Sequence, residues 1–192
     1  GWYYGQQHED GRARIIIGKD TRRSSYTLEY ALSSGITSSG SDAYLLHVST
    51  TPSVSYCCRT DGFDCGVMIS ASHNPFYDNG IKIMRANGQK IEPEIEEQIE
   101  AYIDGEIENL PLAKREKMGN VVDYASGRNR YIGYLMSIPT RGFNGMKVGL
   151  DCANGASWNI ARAVYEALGA KVYVINNTPD GVNINLNCGS TH

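Results

Sequence analysis

The run Ala13-Arg14-Ile15-Ile16-Ile17, closed by Gly18-Lys19-Asp20-Thr21-Arg22, carries the first clear structural signal in the chain. Short and rich in isoleucine, it ends at a polar turn, so it reads as a buried strand. Beyond it, Leu28, Ala31, Leu32, Gly35 and Ile36 recur at helical spacing, which predicts a helix over about residues 26–39 stopped by Gly40. Residues 43–48 then read as a second buried strand. Strands alternating with helices call for a layered α/β sheet, mostly parallel.

The pattern continues outward. Thr51-Pro52 opens a short helix, since proline suits a helix's first position. Residues 66–70 are a third strand. Residues 79–91 read as a hairpin turning at Ala86-Asn87-Gly88, because Asn-Gly is a strong turn signal. Residues 92–104 form a helix opened by Pro93, with Ile95, Ile99, Tyr102 and Ile103 on one face and Gly105 at its end. The acidic residues spread from Glu92 to Glu108 read as a solvated face rather than a metal site. A polar connector over 106–120 leads to a helix over 124–138, stopped by Pro139. Then the pattern restarts with a strand at 147–150, a helix at 157–168 and a strand at 171–175.

The expected architecture is a three-layer α/β/α fold around a mixed, mostly parallel sheet, occupying residues 1–140. A second, similar domain begins at 141–192, with the boundary placed in 139–145. Sheets of this kind bind ligands beyond the carboxyl ends of their strands. The turns after Ile17, Val48, Ser70 and Leu150 are therefore the places to search.

Composition removes several classes. The 192 residues carry 18 basic and 21 acidic side chains without a Lys/Arg cluster, which speaks against a nucleic-acid partner. No apolar run approaches the roughly 20 residues that span a bilayer, and Gly1-Trp2-Tyr3-Tyr4 does not resemble a signal peptide. The five cysteines, Cys57, Cys58, Cys65, Cys152 and Cys188, include no C-x-x-C pair. Free thiols in a reducing cytoplasm are the expectation, not a disulfide framework or a zinc site.

One turn concentrates chemistry. Ser70-Ala71-Ser72-His73-Asn74-Pro75-Phe76-Tyr77-Asp78-Asn79-Gly80-Ile81-Lys82 gathers hydroxyls, an imidazole, amides, a carboxylate and an ammonium at one strand end. A serine beside a histidine could be a base-activated nucleophile. It could equally be a hydroxyl that carries a phosphoryl group while His, Asn and Lys balance the charge. The acyl-transfer version lacks a G-x-S-x-G elbow. An ordinary polar turn is the bland alternative.

The stretch 69–75, continued by Tyr77-Asp78-Asn79-Gly80-Ile81-Lys82, resembles the phosphoserine loop of the α-D-phosphohexomutases. Gly18-Lys19-Asp20-Thr21-Arg22, Thr51-Pro52 with Tyr56, Asp151-Cys152-Ala153-Asn154-Gly155-Ala156, Asp180-Gly181-Val182-Asn183-Ile184-Asn185 and Cys188-Gly189 match further motifs in the family's order. The wording is nearest to the bacterial branch that interconverts glucosamine 6-phosphate and glucosamine 1-phosphate. A sister mutase acting on glucose or mannose phosphates, and a non-catalytic phosphosugar-binding domain, are the alternatives.

The resemblance implies that Ser72 holds the catalytic phosphate and passes it to a hexosamine phosphate through a 1,6-bisphosphate. It implies that His73 and Asn74 position phosphoserine and sugar, and that Lys82 assists proton transfer or phosphate stabilisation; a solvent-facing strand lysine is the plain alternative. It also implies Mg²⁺ bound through the Ser72 phosphate, with aspartates of a D-G-D-x-D-type loop as the other ligands. That loop is absent from the sequence, and Asp20, Asp78 and Asp151 do not replace it. Asp20 and Arg22 are expected to brace the active-site loops, and Asp151 and Asn154 to order a turn of the second domain. The family's opening phosphate-binding strand and its later domains are missing, so the chain reads as an inactive N-terminal part, prone to self-association through uncovered surfaces.

Overall fold

In the computed structural model, which describes residues 1–105 and 110–192, two sheets are joined through helices. A short helix α1 (Trp2–Gly5) precedes β1 (Arg14–Lys19), α2 (Arg23–Ser38), β2 (Asp42–Val48), α3 (Thr51–Thr60), β3 (Cys65–Ile69) and β4 (Ile81–Arg85). Then come α4 (Pro93–Ile103), β5 (Val121–Asp123) and α5 (Ala125–Ser137), followed by β6 (Lys147–Asp151), α6 (Ala161–Ala167) and β7 (Lys171–Ile175). Five strands form one sheet in the order β4-β3-β1-β2-β5, parallel except for β4. β6 and β7 form a second, parallel pair.

β1 sits at the centre because its side chains suit burial on both sides. Ile15 and Ile17 point into a core with Ile36 of α2, Ala43, Leu45 and Val67. Ile16 points the other way, to Val54, Cys57 and Cys58 of α3 and to Phe63 and Met68. The result is the expected three-layer α/β/α arrangement. Gly18 allows the close approach of α3: a Cβ there would lie 2.4 Å from Val54 Cγ2. At the same level the β1–β2 register slips, with Ile17 opposite Leu45 and Gly18 opposite His47, whose φ is +60°. This bulge alters the strand end on which the turns converge.

The next inward position on β1 after Ile17 is Lys19, only 2% exposed and paired with the equally buried Glu29 of α2. Its ammonium also lies 3.6 Å from the Tyr26 ring centroid, a cation–π contact strengthened by desolvation.

Several expectations change in detail. Only one arm of the 79–91 hairpin is a strand: β4 pairs with β3, and the returning arm makes a single bridge, Met84 to Lys90, after the turn at 86–88. The polar connector contains a 3₁₀ turn, Arg115–Lys117, and gives way to β5, which joins the sheet edge beside β2. The 157–168 helix is instead a 3₁₀ turn, Ala156–Asn159, and the short α6. α4 has no buried residue, and Tyr102 and Ile103 of its apolar face are exposed. Within the acidic stretch, Glu106 and Glu108 lie outside the described residues.

α5 packs on β2 and α3 on one side and on α6 on the other. Tyr131 of α5 meets Ile160 and Val164 in a small third core. This contact brings the loops beyond β6 and β7 toward the strand ends of the five-stranded sheet. No helix among the described residues is long and apolar enough to cross a membrane.

Candidate functional site

β3 ends at Ile69, and residues 70–80 leave the sheet and return as β4. Their base is closed by the Ser70 amide donating to the Gly80 carbonyl at 2.8 Å. A Cβ on Gly80 would lie 2.8 Å from the Ser70 oxygen, so glycine is required for that approach. Inside the loop, the Asn74 amide donates to Ala71 O and the Asp78 amide to Pro75 O, both at 3.1 Å. Asn74 Nδ2 donates to Asp78 Oδ2 at 3.1 Å.

Ser72 has φ of +57°. For a residue other than glycine, that left-handed conformation costs about 1–2 kcal/mol, so its surroundings must hold it. Its own amide donates to Ser70 Oγ at 3.1 Å. Its carbonyl and that of Asn74 are held from below by Arg22, whose Nη2 reaches Asn74 O at 2.7 Å and Ser72 O at 3.3 Å.

Arg22 can do this because it is itself fixed. It is 1% exposed, and its Nη1 pairs with Asp20, which is 2% exposed. Asp20 Oδ1 also accepts from Ser25 Oγ at 2.8 Å and from the Arg22 amide at 3.0 Å. A buried guanidinium needs such a partner, and its planar fork lets one nitrogen face the carboxylate while another serves the loop.

From the opposite side comes a residue that the sequence offered only as part of a motif. Asn185 Nδ2 donates to Ser72 O and Asn74 O, each at 3.0 Å, the same two carbonyls that Arg22 holds. Asn185 has φ of +59°, and its amide donates to Ala153 O at 2.9 Å. The segment after β7 is built from such asparagine contacts. Asn154 Oδ1 accepts from the Thr178 amide at 3.1 Å, and Asn154 Nδ2 donates to Asn183 O at 3.3 Å. Asparagine suits this work because it tolerates left-handed φ and supplies both donor and acceptor.

The same segment is tied to the five-stranded part. Thr21 Oγ1 donates to Asn154 O at 2.6 Å, and the Arg23 amide to Gly181 O at 2.9 Å. Asp151, at the end of β6, accepts from the Gly189 amide at 2.9 Å, the Ala153 amide at 2.8 Å and Asn176 Nδ2 at 3.0 Å. Those donors, the Gly189 amide foremost, hold its carboxyl below the usual carboxylate range.

Ser72, His73 and Asn74 therefore lie together, exposed at the lip of one braced turn. Lys82 lies on β4 opposite Met68, exposed, and no hydrogen bond among the described residues joins it to Ser72. Among the described residues, no three His, Cys, Asp or Glu side chains converge as a metal-ligand set. The residues here do not fit a complete Mg²⁺ site; a phosphate on Ser72 would supply oxygens but no carboxylate partners. What the arrangement offers is a hydroxyl in a fixed orientation, beside an imidazole and an amide, with a cation on the adjoining strand.

Comparison with known proteins bears on the family and the fold. A family model described as phosphoglucomutase/phosphomannomutase, α/β/α domain I, matches residues 1–110. The chain is 64% identical over 192 residues to a phosphoglucosamine mutase of Lachnospira eligens, covering all of this chain and 43% of that protein. It is 62% identical over the same length to one of Lachnoclostridium phytofermentans, of which it covers 42%. A phosphoglucomutase/phosphomannomutase family protein of Burkholderia thailandensis shares the fold, with a TM-score of 0.72 at 22% identity, over 94% of this chain and 39% of that one. The chain thus spans less than half the length of the relatives it matches. It belongs to the phosphoglucomutase/phosphomannomutase family.

Proposed function

We propose that this chain is the phosphoryl-carrying part of a phosphoglucosamine mutase, with Ser72 as the carrier. The observation behind this reading is the exposed Ser72, held in a left-handed conformation by a buried arginine–aspartate pair. In the forward half-reaction, a hydroxyl oxygen of the bound hexosamine monophosphate attacks the phosphorus on Ser72. The P–Oγ bond breaks, its electron pair remains on Ser72 Oγ, and the proton of the sugar hydroxyl passes to that oxygen. The product is a 1,6-bisphosphate. After it reorients, its other phosphate returns to Ser72 Oγ by the reverse step, and the sugar oxygen regains a proton.

Such transfers depend chiefly on alignment and on charge stabilisation around the phosphoryl oxygens. A phosphoserine brings about −1.5 to −2 charges near pH 7. In this reading His73 and Asn74 orient it, while Lys82 moves into reach to stabilise the phosphate or relay the proton. A general acid or base of that kind contributes about 10²–10⁴-fold. Bound Mg²⁺ would neutralise phosphate charge, with carboxylates from beyond this chain. We assign residues 1–140 to the carrier domain, 141–192 to the opening of the next, and the protein to the cytoplasm. High identity to glucosamine-phosphate mutases supports that substrate over glucose or mannose phosphates.

A chimera tests this reading. The chain replaces the matching 43% of the Lachnospira eligens protein, and conversion of glucosamine 6-phosphate is followed. Activity that disappears with Ser72→Ala is expected. A folded chimera that is inactive, or one that Ser72→Ala leaves active, overturns it. The chain alone is expected to show no mutase activity.

A further inference from the structure

Ser72 and Asn185 are separated by 113 residues, yet the Asn185 amide nitrogen sits 3.0 Å from both carbonyls that fix the Ser72 turn. An NH₂ group carries two hydrogens, one for each carbonyl, and only the nitrogen end of the amide can face two acceptors. The side chain is directed by its own backbone. Its φ of +59° and its amide bond to Ala153 O aim it back at the loop. Arg22 holds the same oxygens from the turn after β1, and Asn185 from the segment after β7, so the turn is clasped by residues that follow strands of two different sheets.

We infer that Asn185 is a positioning residue for Ser72, and that the two-stranded part thereby sets the orientation of the serine hydroxyl. Arg22 alone meets Ser72 O at 3.3 Å, a longer contact than its 2.7 Å bond to Asn74 O. The shorter bond to Ser72 O comes from Asn185. Removing it leaves the left-handed Ser72 with its weaker support, and the turn is expected to relax toward ordinary φ. The consequence for phosphoryl transfer rests on the proposed function; the clasp itself does not.

The test uses the intact 192-residue chain and the variants Asn185→Gly and Asn185→Asp. Glycine keeps the positive φ while deleting the donor; aspartate keeps the shape but sets a carboxylate against two carbonyls. NMR of the ¹⁵N-labelled chain reads the Ser72 amide–Hα coupling, which reports φ, and the exchange of the 72 and 74 amides. With Asn185→Gly, the coupling is expected to leave its left-handed value and exchange to rise about tenfold, in line with loss of local protection. Asn185→Asp is expected to do more. Signals of β6 and β7 show whether the second part remains folded, and a structural role confined to that part would disturb them while leaving Ser72 unmoved. Unchanged Ser72 coupling and exchange in both variants overturn the inference, whatever the outcome of the activity chimera. If β6 and β7 unfold in a variant, a Ser72 turn that keeps its coupling overturns it equally.

Discussion

The two sheets are held by different forces. β1 is buried from Ile15 through Lys19, between α2 on one face and α3 on the other. β6 and β7 contain no buried residue, and Tyr173 and Ile175 are largely exposed. The five-stranded part rests on apolar burial, with the ion pairs Lys19–Glu29 and Arg22–Asp20 enclosed in it. The two-stranded part adds to its small core at Ile160 and Val164 the side-chain to backbone hydrogen bonds made by Asp151, Asn154, Asn183 and Asn185. Burial resists local opening, whereas hydrogen bonds near solvent are exchanged readily for water. The Ser72 turn lies where the two meet, supported firmly from one side and adjustably from the other.

The strongest way to break this contrast is to remove one partner of a buried pair. Glu29→Ala leaves the Lys19 ammonium enclosed without a counter-charge and is expected to cost about 3–5 kcal/mol, measured by urea denaturation. The double replacement Lys19→Met with Glu29→Leu is expected to recover most of that loss, because apolar side chains of similar volume suit the same space. Gly18→Ala should follow, at about 1–3 kcal/mol, since its new methyl falls on Val54 Cγ2; adding Val54→Ala should relieve part of it.

Acid sharpens the contrast on the other side. The Asp151 carboxyl has a depressed pKa in the folded chain. Its contribution is therefore complete above the ordinary unfolded value of about 3.9 and is lost as pH falls through the depressed folded value. Amide exchange at Ala153 and Gly189 should rise over that acid range, and Asp151→Asn should abolish this pH dependence.

The smallest effect concerns the thiols. Burial pushes Cys57, Cys58 and Cys65 up to about 12, so they should resist a thiol reagent at pH 8 in the native chain. Cys188 is buried as well and its thiol is also pushed up, but it lies in the segment held by hydrogen bonds, so local opening should expose it first, as read by peptide mass. Equal reaction at all sites would remove the distinction between the two parts.

The sequence made the first part legible for the same reason that it is stable. Ile15, Ile16 and Ile17, and the helical spacing of Leu28, Leu32 and Ile36, are direct imprints of burial. β5 left no such trace, because its three residues lie at an edge and Val121 is exposed. α6 is shorter than the helical spacing over 157–168 predicts, because apolar periodicity continues through a stretch whose backbone breaks at Ile160. In the site, Ser72, His73, Asn74 and Lys82 stood out through their chemistry, and the bracing role of Arg22 was within reach of the motif around it. Asn185 was not, since its bond to Ser72 joins residues 113 apart and depends on how the two sheets pack. The run of asparagines after β7 was its one visible sign.

The most direct test of Ser72 as the phosphoryl carrier is intact mass and peptide mapping of the chain, purified from cells with phosphatase inhibitors and then incubated with a hexosamine 1,6-bisphosphate in the chimera described above. One phosphate on the peptide containing Ser72, absent from Ser72→Ala, is the predicted result. Phosphate on a different residue, or an active chimera whose Ser72 never carries phosphate during turnover, would contradict it.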